Sequence, residues 1–155
     1  MIENSLIKEI LSILLQNGGD FAEIYLQKKE NNGIKLEDQK IESPISGFDL
    51  GCGLRLWHEG STFYGYVYSI HKPELLNAAK VLSSSISSGK EGKAIKISKG
   101  KKGFNYPSKT PKDVRLEKKG NILKLVDKTA RDFSGRIVQV ASNISDLEQE
   151  IFIAN

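Results

Sequence analysis

The chain has 155 residues, 39% of them hydrophobic and 27% charged, a composition typical of a globular domain with a real core. No apolar run approaches the roughly 20 residues that span a bilayer, and the N-terminus lacks the basic start of a secretory signal. A single cysteine excludes an internal disulfide framework. These features predict a cytoplasmic protein with no membrane partner.

The net charge of +4 is unevenly distributed along the chain. Residues 87–121 carry 11 Lys and Arg against 3 Asp and Glu, whereas the remaining residues carry more acids than bases. The lysines lie among Gly, Ser and Pro, not among the aromatic residues that a nucleic-acid interface needs. The pattern therefore predicts a flexible basic linker at about residues 87–110. The alternative is a stand-alone binding module that uses this lysine-rich segment for nucleic acid or an acidic partner.

Periodicity in the first half predicts a helix, a four-stranded antiparallel meander and a second helix. Asn4 or Ser5 is expected to cap the first helix, Gly18 and Gly19 to end it, and the Asn-Gly turn at 30–33 to form a tight hairpin. The predicted elements are a helix at 4–17, strands at 21–29, 33–42, 47–57 and 62–69, a turn at 58–61, and a helix at 72–86.

The second half predicts a third helix and two more strands. The helix runs from about residue 111 or 112 to 133, with Thr110 or Asp113 near its start and Gly120 interrupting it or marking its true beginning. Its expected inner face consists of Ile122, Leu123, Leu125, Val126, Ala130 and Phe133. The remaining predicted elements are a short strand at 94–98 and strands at 136–142 and 147–154, joined at 143–146. The fold class is therefore α+β, with a mainly antiparallel sheet and about three helices packed on it.

The stretch at 47–57, GFDLGCGLRLW, combines Gly-x-Gly with the only cysteine. A dinucleotide loop would need a third glycine at position 56, which is Leu, and a helix after it. A reactive thiol would need a partner that lowers its pKa. The alternation instead predicts a strand whose core face, with Cys52 as an inert hydrophobe, consists of Phe48, Leu50, Cys52, Leu54 and Leu56.

The opposite face of this strand is the candidate site. Its small side chains would let a peptide or another domain approach closely. The candidate contact residues are Gly47, Gly51, Gly53 and Arg55. The alternative is that the glycines relieve crowding against Trp57 or a neighbouring helix. His58 and His71 are too far apart in sequence for a metal motif, and the carboxylates of Asp146, Glu148 and Glu150 are expected to face water.

Several blocks, in order and spacing, resemble the N-terminal domain of the TldD/PmbA family, whose members are known as modulators of DNA gyrase and zinc metalloproteases. The matching blocks are GGDFAEIYLQ (18–27), GIKLEDQKIE (33–42), SGFDLGCGLRLW (46–57), LEKKGNILKLVDKTAR (116–131) and IVQVASNISDLEQEIFIAN (137–155).

The resemblance implies that residues 1–155 are a single N-terminal domain of a longer protein, and the strand predicted to end the chain fits such a piece. The family's zinc-binding HExxxH helix lies in its C-terminal half, so zinc is implied there and neither catalytic nor metal-binding residues are expected here. The implied partners are the protein's own C-terminal domain, a homo- or heterodimer partner of the family, and an unfolded peptide substrate. The domain would then enclose substrate and support the dimer without catalysing cleavage itself.

Overall fold

The computed structural model describes residues 2–86 and 110–155, so the predicted basic linker and the strand at 94–98 lie outside the described residues. Three α-helices and five strands are found within those ranges, and the sheet is mostly antiparallel, which confirms the α+β prediction. The elements are α1 (Asn4–Leu15), β1 (Phe21–Glu37), β2 (Lys40–Ile41), β3 (Ile45–His58), β4 (Ser61–Val67), α2 (Lys72–Ser84), a 3-10 turn (Pro111–Asp113), α3 (Leu116–Phe133) and β5 (Ala141–Ala154).

The sheet has the strand order β2-β1-β3-β4, and β5 also pairs with β1. The chain divides into two compact units. Among the described residues, the first unit comprises 2–28, 49–86 and 150–155, and the second comprises 29–48 and 110–149.

The first unit is built around aliphatic side chains. The apolar stripe of α1 is buried as predicted, and α1 packs against α2. Gly18 ends α1 in the left-handed region, with a φ of 90°. The predicted cap is wrong, because the N-cap residue is Glu3 and Ser5 Oγ instead donates to its carboxylate.

β3 and β4 form the predicted hairpin of the first unit. Its two turn residues, Glu59 and Gly60, have φ angles of 47° and 82°, which a two-residue turn of this kind requires. Cys52, Leu54 and Leu56 are fully buried, as the alternation predicts. Phe48 and Leu50 depart from the prediction, because Phe48 is 62% exposed and Leu50 is half-buried.

The prediction of a hairpin at residues 30–33, in the second unit, is wrong. β1 continues through Asn31, Asn32 and Gly33 without a turn, and the chain reverses at Asp38 and Gln39, whose φ angles are 45° and 67°. Ser46 Oγ donates to the Asn32 side chain at 2.9 Å. Pairing with neighbouring strands along its length therefore outweighs the local preference of Asn-Gly for a turn.

The C-terminal strand prediction is also wrong, since residues 141–154 form one strand. Side chains at its even positions are the less exposed ones through residues 143–146, where a connection between two strands was predicted. Ile144 packs on the second unit's small core of Ile34, Leu36 and Leu123.

α3 begins at Leu116, after a 3-10 turn capped by Thr110 and Asp113. Its buried face is narrower than predicted and consists of Gly120, Leu123 and Asp127. Gly120 neither starts nor interrupts the helix. A Cβ there would lie 2.9 Å from Ile41 Cδ1, so the glycine permits this approach. The other expected inner residues are not buried, and the exposed ones are Ile122, Leu125, Val126 and Phe133.

Candidate functional site

In the first unit, β1, β3 and β4 turn alternate side chains away from the aliphatic core. We call this surface the outer face. It is rich in aromatic residues because the odd positions of β1 and β3, the even positions of β4 and the residue that follows β4 carry them. Its aromatic members are Phe21, Tyr25, Trp57, Tyr64, Tyr66 and Tyr68.

Two of the four candidate contact residues, Gly51 and Gly53, lie beneath tyrosines of β4. A Cβ on Gly51 would stand 2.1 Å from Tyr66 Oη, and one on Gly53 would stand 2.6 Å from Tyr64 Oη. The antiparallel register pairs Gly53 with Tyr66 and Arg55 with Tyr64, so each phenol lies diagonally over the glycine next to its own partner. The glycines make room for aromatic rings, and this part of the face is therefore not bare.

Gly47, the remaining glycine of the predicted face, belongs to the second unit. A Cβ there would lie 2.3 Å from the amide oxygen of Asn31, so the Asn31 side chain covers it. The structure thus finds a specific neighbour for each of the three glycines. The alternative from the sequence was that these glycines relieve crowding against Trp57 or a neighbouring helix. Neither of these is the neighbour found.

A surface pocket of about 220 Å³ opens on the outer face. Its lining residues are Glu23, Tyr25, Gly53, Arg55 and Tyr64, and we call it the tyrosine pocket. Arg55 Nη1 lies 3.3 Å from Glu23 Oε1; the Arg55 side chain is 50% exposed and that of Glu23 is 20% exposed. The Tyr25 hydroxyl donates to Gln27 Oε1 at 3.2 Å, which fixes the position of its ring.

Sequence reasoning selected Gly53 and Arg55 but missed Glu23, Tyr25 and Tyr64. The available signal was the alternation of tyrosines in TFYGYVYS (62–69), opposite the alternation of glycines in β3. Only the register of the two strands shows that tyrosine and glycine meet.

Tyr66 is the outer-face residue with an altered acidity. Partial burial raises the pKa of its phenol, and the nearby carboxylate of Asp49 raises it further. The phenol therefore stays protonated at neutral pH and remains available as a hydrogen-bond donor.

Cys52 is not a nucleophile. It is fully buried, and burial raises the pKa of its thiol to about 12. Since only the thiolate reacts or binds metal, Cys52 serves as a small core side chain, as predicted.

The residues present do not fit a zinc site. Within residues 2–86 and 110–155, no group of three or more His, Cys, Asp or Glu side chains could hold a metal ion. His58 Nδ1 is buried, yet Asp20 Oδ2 lies 4.0 Å away, and Asp20 instead accepts the amide N–H of Glu59. A zinc ligand set needs several donors about 2 Å from one point.

Of the carboxylates predicted to face water, Glu150 is exposed, but Glu148 is half-buried and so is Asp146. The Asp146 side chain is 11% exposed and forms an ion pair with Lys119, which is 12% exposed.

No helix in the part of the chain that the structure describes is both long and apolar enough to cross a membrane. The predicted use of the lysine-rich segment lies outside the described residues and stays a prediction.

Comparison with known proteins places these features in a family. The model of PmbA/TldA metallopeptidase domain 1 matches residues 22–98. A metalloprotease TldD homolog of Haemophilus influenzae is 28% identical over 93% of this chain, and one of Buchnera aphidicola is 29% identical over 88%. The chain spans 30% and 28% of the lengths of these two curated relatives.

Two solved structures share the fold. A protein of Bacteroides thetaiotaomicron, named for modulation of DNA gyrase, aligns with a TM-score of 0.71 at 21% identity over 99% of this chain and 37% of its own. TldE of Thermococcus kodakarensis aligns with a TM-score of 0.56 at 15% identity over 88% of this chain and 32% of its own. The family model, both curated relatives and the shared fold agree in their support for the TldD/PmbA family and for its N-terminal domain.

Proposed function

We propose that this chain is the substrate-enclosing, dimer-supporting N-terminal domain of a TldD/PmbA-type metalloprotease, and that it is not catalytic by itself. One observation carries the proposal: the matching family model is domain 1 of a metallopeptidase, and the curated relatives are metalloproteases more than three times as long. The remainder of such a protein would supply zinc and the hydrolytic chemistry.

The proposed setting is the cytoplasm, with a dimer of two family chains and an unfolded peptide as substrate. The names of the relatives support a partner of the same family, because they include both TldD and TldE proteins. The outer face would line the path of the peptide. A strand-like sheet surface suits this role, because extended peptides are bound largely through their main chain and side-chain pockets then add selectivity.

Arg55, Gly51 and Gly53 keep a place in this proposal, in a modified form. The glycines would not meet the peptide directly. Because they have no Cβ, the hydroxyl groups of Tyr64 and Tyr66 can approach β3 closely, and these phenols, with Arg55, would present the surface that a peptide contacts.

The test compares three proteins: the family-length protein containing this sequence, the same protein without residues 1–155, and this chain alone. Each is assayed for bound zinc and for cleavage of an unfolded peptide. We expect zinc in the first two, peptide cleavage by the first, and neither property in the third. Cleavage by this chain alone would contradict the proposed non-catalytic role, and equal cleavage without residues 1–155 would contradict substrate enclosure.

A further inference from the structure

We propose that the tyrosine pocket binds a lysine or arginine side chain of an extended peptide. This inference rests on the proposed function, in which unfolded peptides contact the outer face. It adds the class of side chain that the face selects.

The shape of the pocket suits a long side chain. β3 lies between β1 and β4 in the sheet, so the pocket is bordered by Tyr25 of β1 and by Tyr64 of β4, whose phenol lies over the β3 residue Gly53. The pocket has a volume of about 220 Å³ and opens to the surface. An alkyl chain ending in an ammonium or guanidinium group can therefore lie along the tyrosine side chains that line it.

The chemistry of the walls favours a cation. The faces of tyrosine rings attract positive charge. The Glu23 side chain is less exposed than that of Arg55. The acid is therefore the better enclosed of the two charged residues. Arg55 Nη1 contacts Glu23 Oε1, and a carboxylate has about four lone-pair sites, more than one such contact occupies. It can accept a second cationic donor without losing the first.

The charge of the surrounding outer face points the same way. Its charged residues among those the structure describes are Glu23, Asp49 and Arg55. Close to Glu23 and Asp49, a peptide carboxylate would meet like charge, whereas a lysine or arginine side chain would meet opposite charge. A neutral aliphatic side chain would gain contact with the rings but nothing from the carboxylate.

Binding is measured on the 155-residue chain at low salt, by the fluorescence anisotropy of dye-labelled, unstructured peptides that differ only at two central positions. Peptides with Lys or Arg should bind saturably. Norleucine, which keeps the alkyl chain but not the charge, should bind about 3- to 30-fold more weakly, and Glu should not bind. The inference is overturned if the norleucine or Glu peptide, or a labelled single-stranded oligonucleotide, binds as tightly as the Lys peptide.

Variants locate the binding in the pocket. Glu23→Gln and Tyr64→Ala should each raise Kd for the Lys peptide about 3- to 30-fold, whereas Tyr64→Phe keeps the ring and should bind like the wild type. Glu74→Gln, the same change on an exposed residue of α2, is the matched control and should leave Kd unchanged. Circular dichroism confirms that each variant is folded. Equal Kd values for the wild type, Glu23→Gln and Tyr64→Ala would overturn the assignment.

The outcomes separate this inference from the proposed function. If this chain binds Lys peptides through Glu23 and Tyr64 but the family-length protein cleaves no peptide, the proposed function fails and the pocket stands. If the family-length protein cleaves Lys and Glu peptides equally and Glu23→Gln changes no Kd, the pocket inference fails and the proposed function stands.

Discussion

The first unit buries a large cluster of aliphatic side chains from two helices and from β1, β3 and β5. The core of the second unit, by contrast, contains three buried aliphatic residues among those described, Ile34, Leu36 and Leu123. Ion pairs of low exposure stand beside this small core. Lys119 pairs with Asp146, and Arg131 pairs with Asp127, whose side chain is 7% exposed.

This difference teaches where each unit should be vulnerable. Apolar burial contributes roughly in proportion to area and depends on no single partner. A partly buried ion pair gains little net energy while intact, but removal of one member leaves an uncompensated charge. The first unit should therefore be sensitive to loss of volume, and the second to loss of one charged partner.

The largest effect is expected from truncation in the first core. Leu54→Ala should lower the free energy of unfolding of the first unit by about 2–5 kcal/mol, because Leu54 is fully buried and a cavity would remain. Urea unfolding followed by the fluorescence of Trp57, which lies in this unit, measures the change. Leu125→Ala on α3 is the control, since Leu125 is 63% exposed. A similar loss for both variants would mean that burial does not decide stability here.

The second effect tests the ion pair. Asp146→Leu leaves the Lys119 ammonium without its carboxylate partner in a largely buried position and should destabilise the second unit by about 3 kcal/mol. The double variant Lys119→Met/Asp146→Leu should recover most of the loss. Hydrogen exchange at the backbone amides of Leu36 and Leu123 reports on this unit. Equal hydrogen-exchange rates in the single and double variants would contradict the expected sensitivity of the second unit to the loss of one charged partner.

A smaller effect is expected beneath the tyrosines. A Cβ on Gly51 would meet Tyr66 and also the backbone oxygen of Val67, at 2.9 Å. Gly51→Ala should therefore destabilise the first unit by about 1–3 kcal/mol. Gly65→Ala in β4 is the matched control, because its nearest neighbour would be at 3.9 Å, and it should be neutral or slightly stabilising. Urea midpoints of the two variants decide between close packing and simple backbone freedom.

The last prediction concerns the ionisation of Cys52, which affects the free energy of unfolding at alkaline pH and not at neutral pH. Its folded pKa of about 12 lies above the ordinary value of 9.0, so the folded state holds its proton more tightly than the unfolded state. The resulting stabilisation is fully present below pH 9 and is lost between pH 9 and 12, at about 1.4 kcal/mol per pH unit. Urea unfolding at several pH values should show a shallower alkaline decline for Cys52→Ala than for the wild type. Parallel declines would mean that the thiol ionises equally in both states.

The elements of the first unit could be predicted from the sequence because periodicity and burial agree there. The apolar stripe of α1, the alternation at 52–56 in β3 and the turn at Glu59 and Gly60 all have one consistent interpretation. Local pattern and tertiary packing reinforce one another in such segments.

The second unit was harder to predict because some of its inward positions are polar. Asp146 and Asp127 face inward with partners, whereas Leu125 and Phe133 face outward. A rule that places apolar residues inside fails for such a helix and strand. The Asn-Gly signal at 32–33 failed for another reason, since pairing between strands distant in sequence outweighs a local turn preference.

The site was predicted in part. The strand at 47–57 and its two faces follow from alternation alone, and so does the presence of glycines on one face. The diagonal cover of Gly53 by Tyr64 depends on the β3–β4 register. The placement of Tyr25 and Tyr64 around one pocket, with β3 between their strands, depends on strand order. Neither quantity can be read from one strand's pattern.

The first unit draws on stretches that are far apart along the chain, and this has a consequence for its synthesis. Ala154 belongs to the same buried cluster as Ile10 and Ile24, yet residues 150–155 follow residue 28 by about 120 positions. At about 5–20 residues per second, a ribosome would need on the order of ten seconds to supply that last strand. During this interval the hydrophobic faces of α1 and β1 would be without part of their cover, and a chaperone that shields aliphatic surface would have its best opportunity to bind.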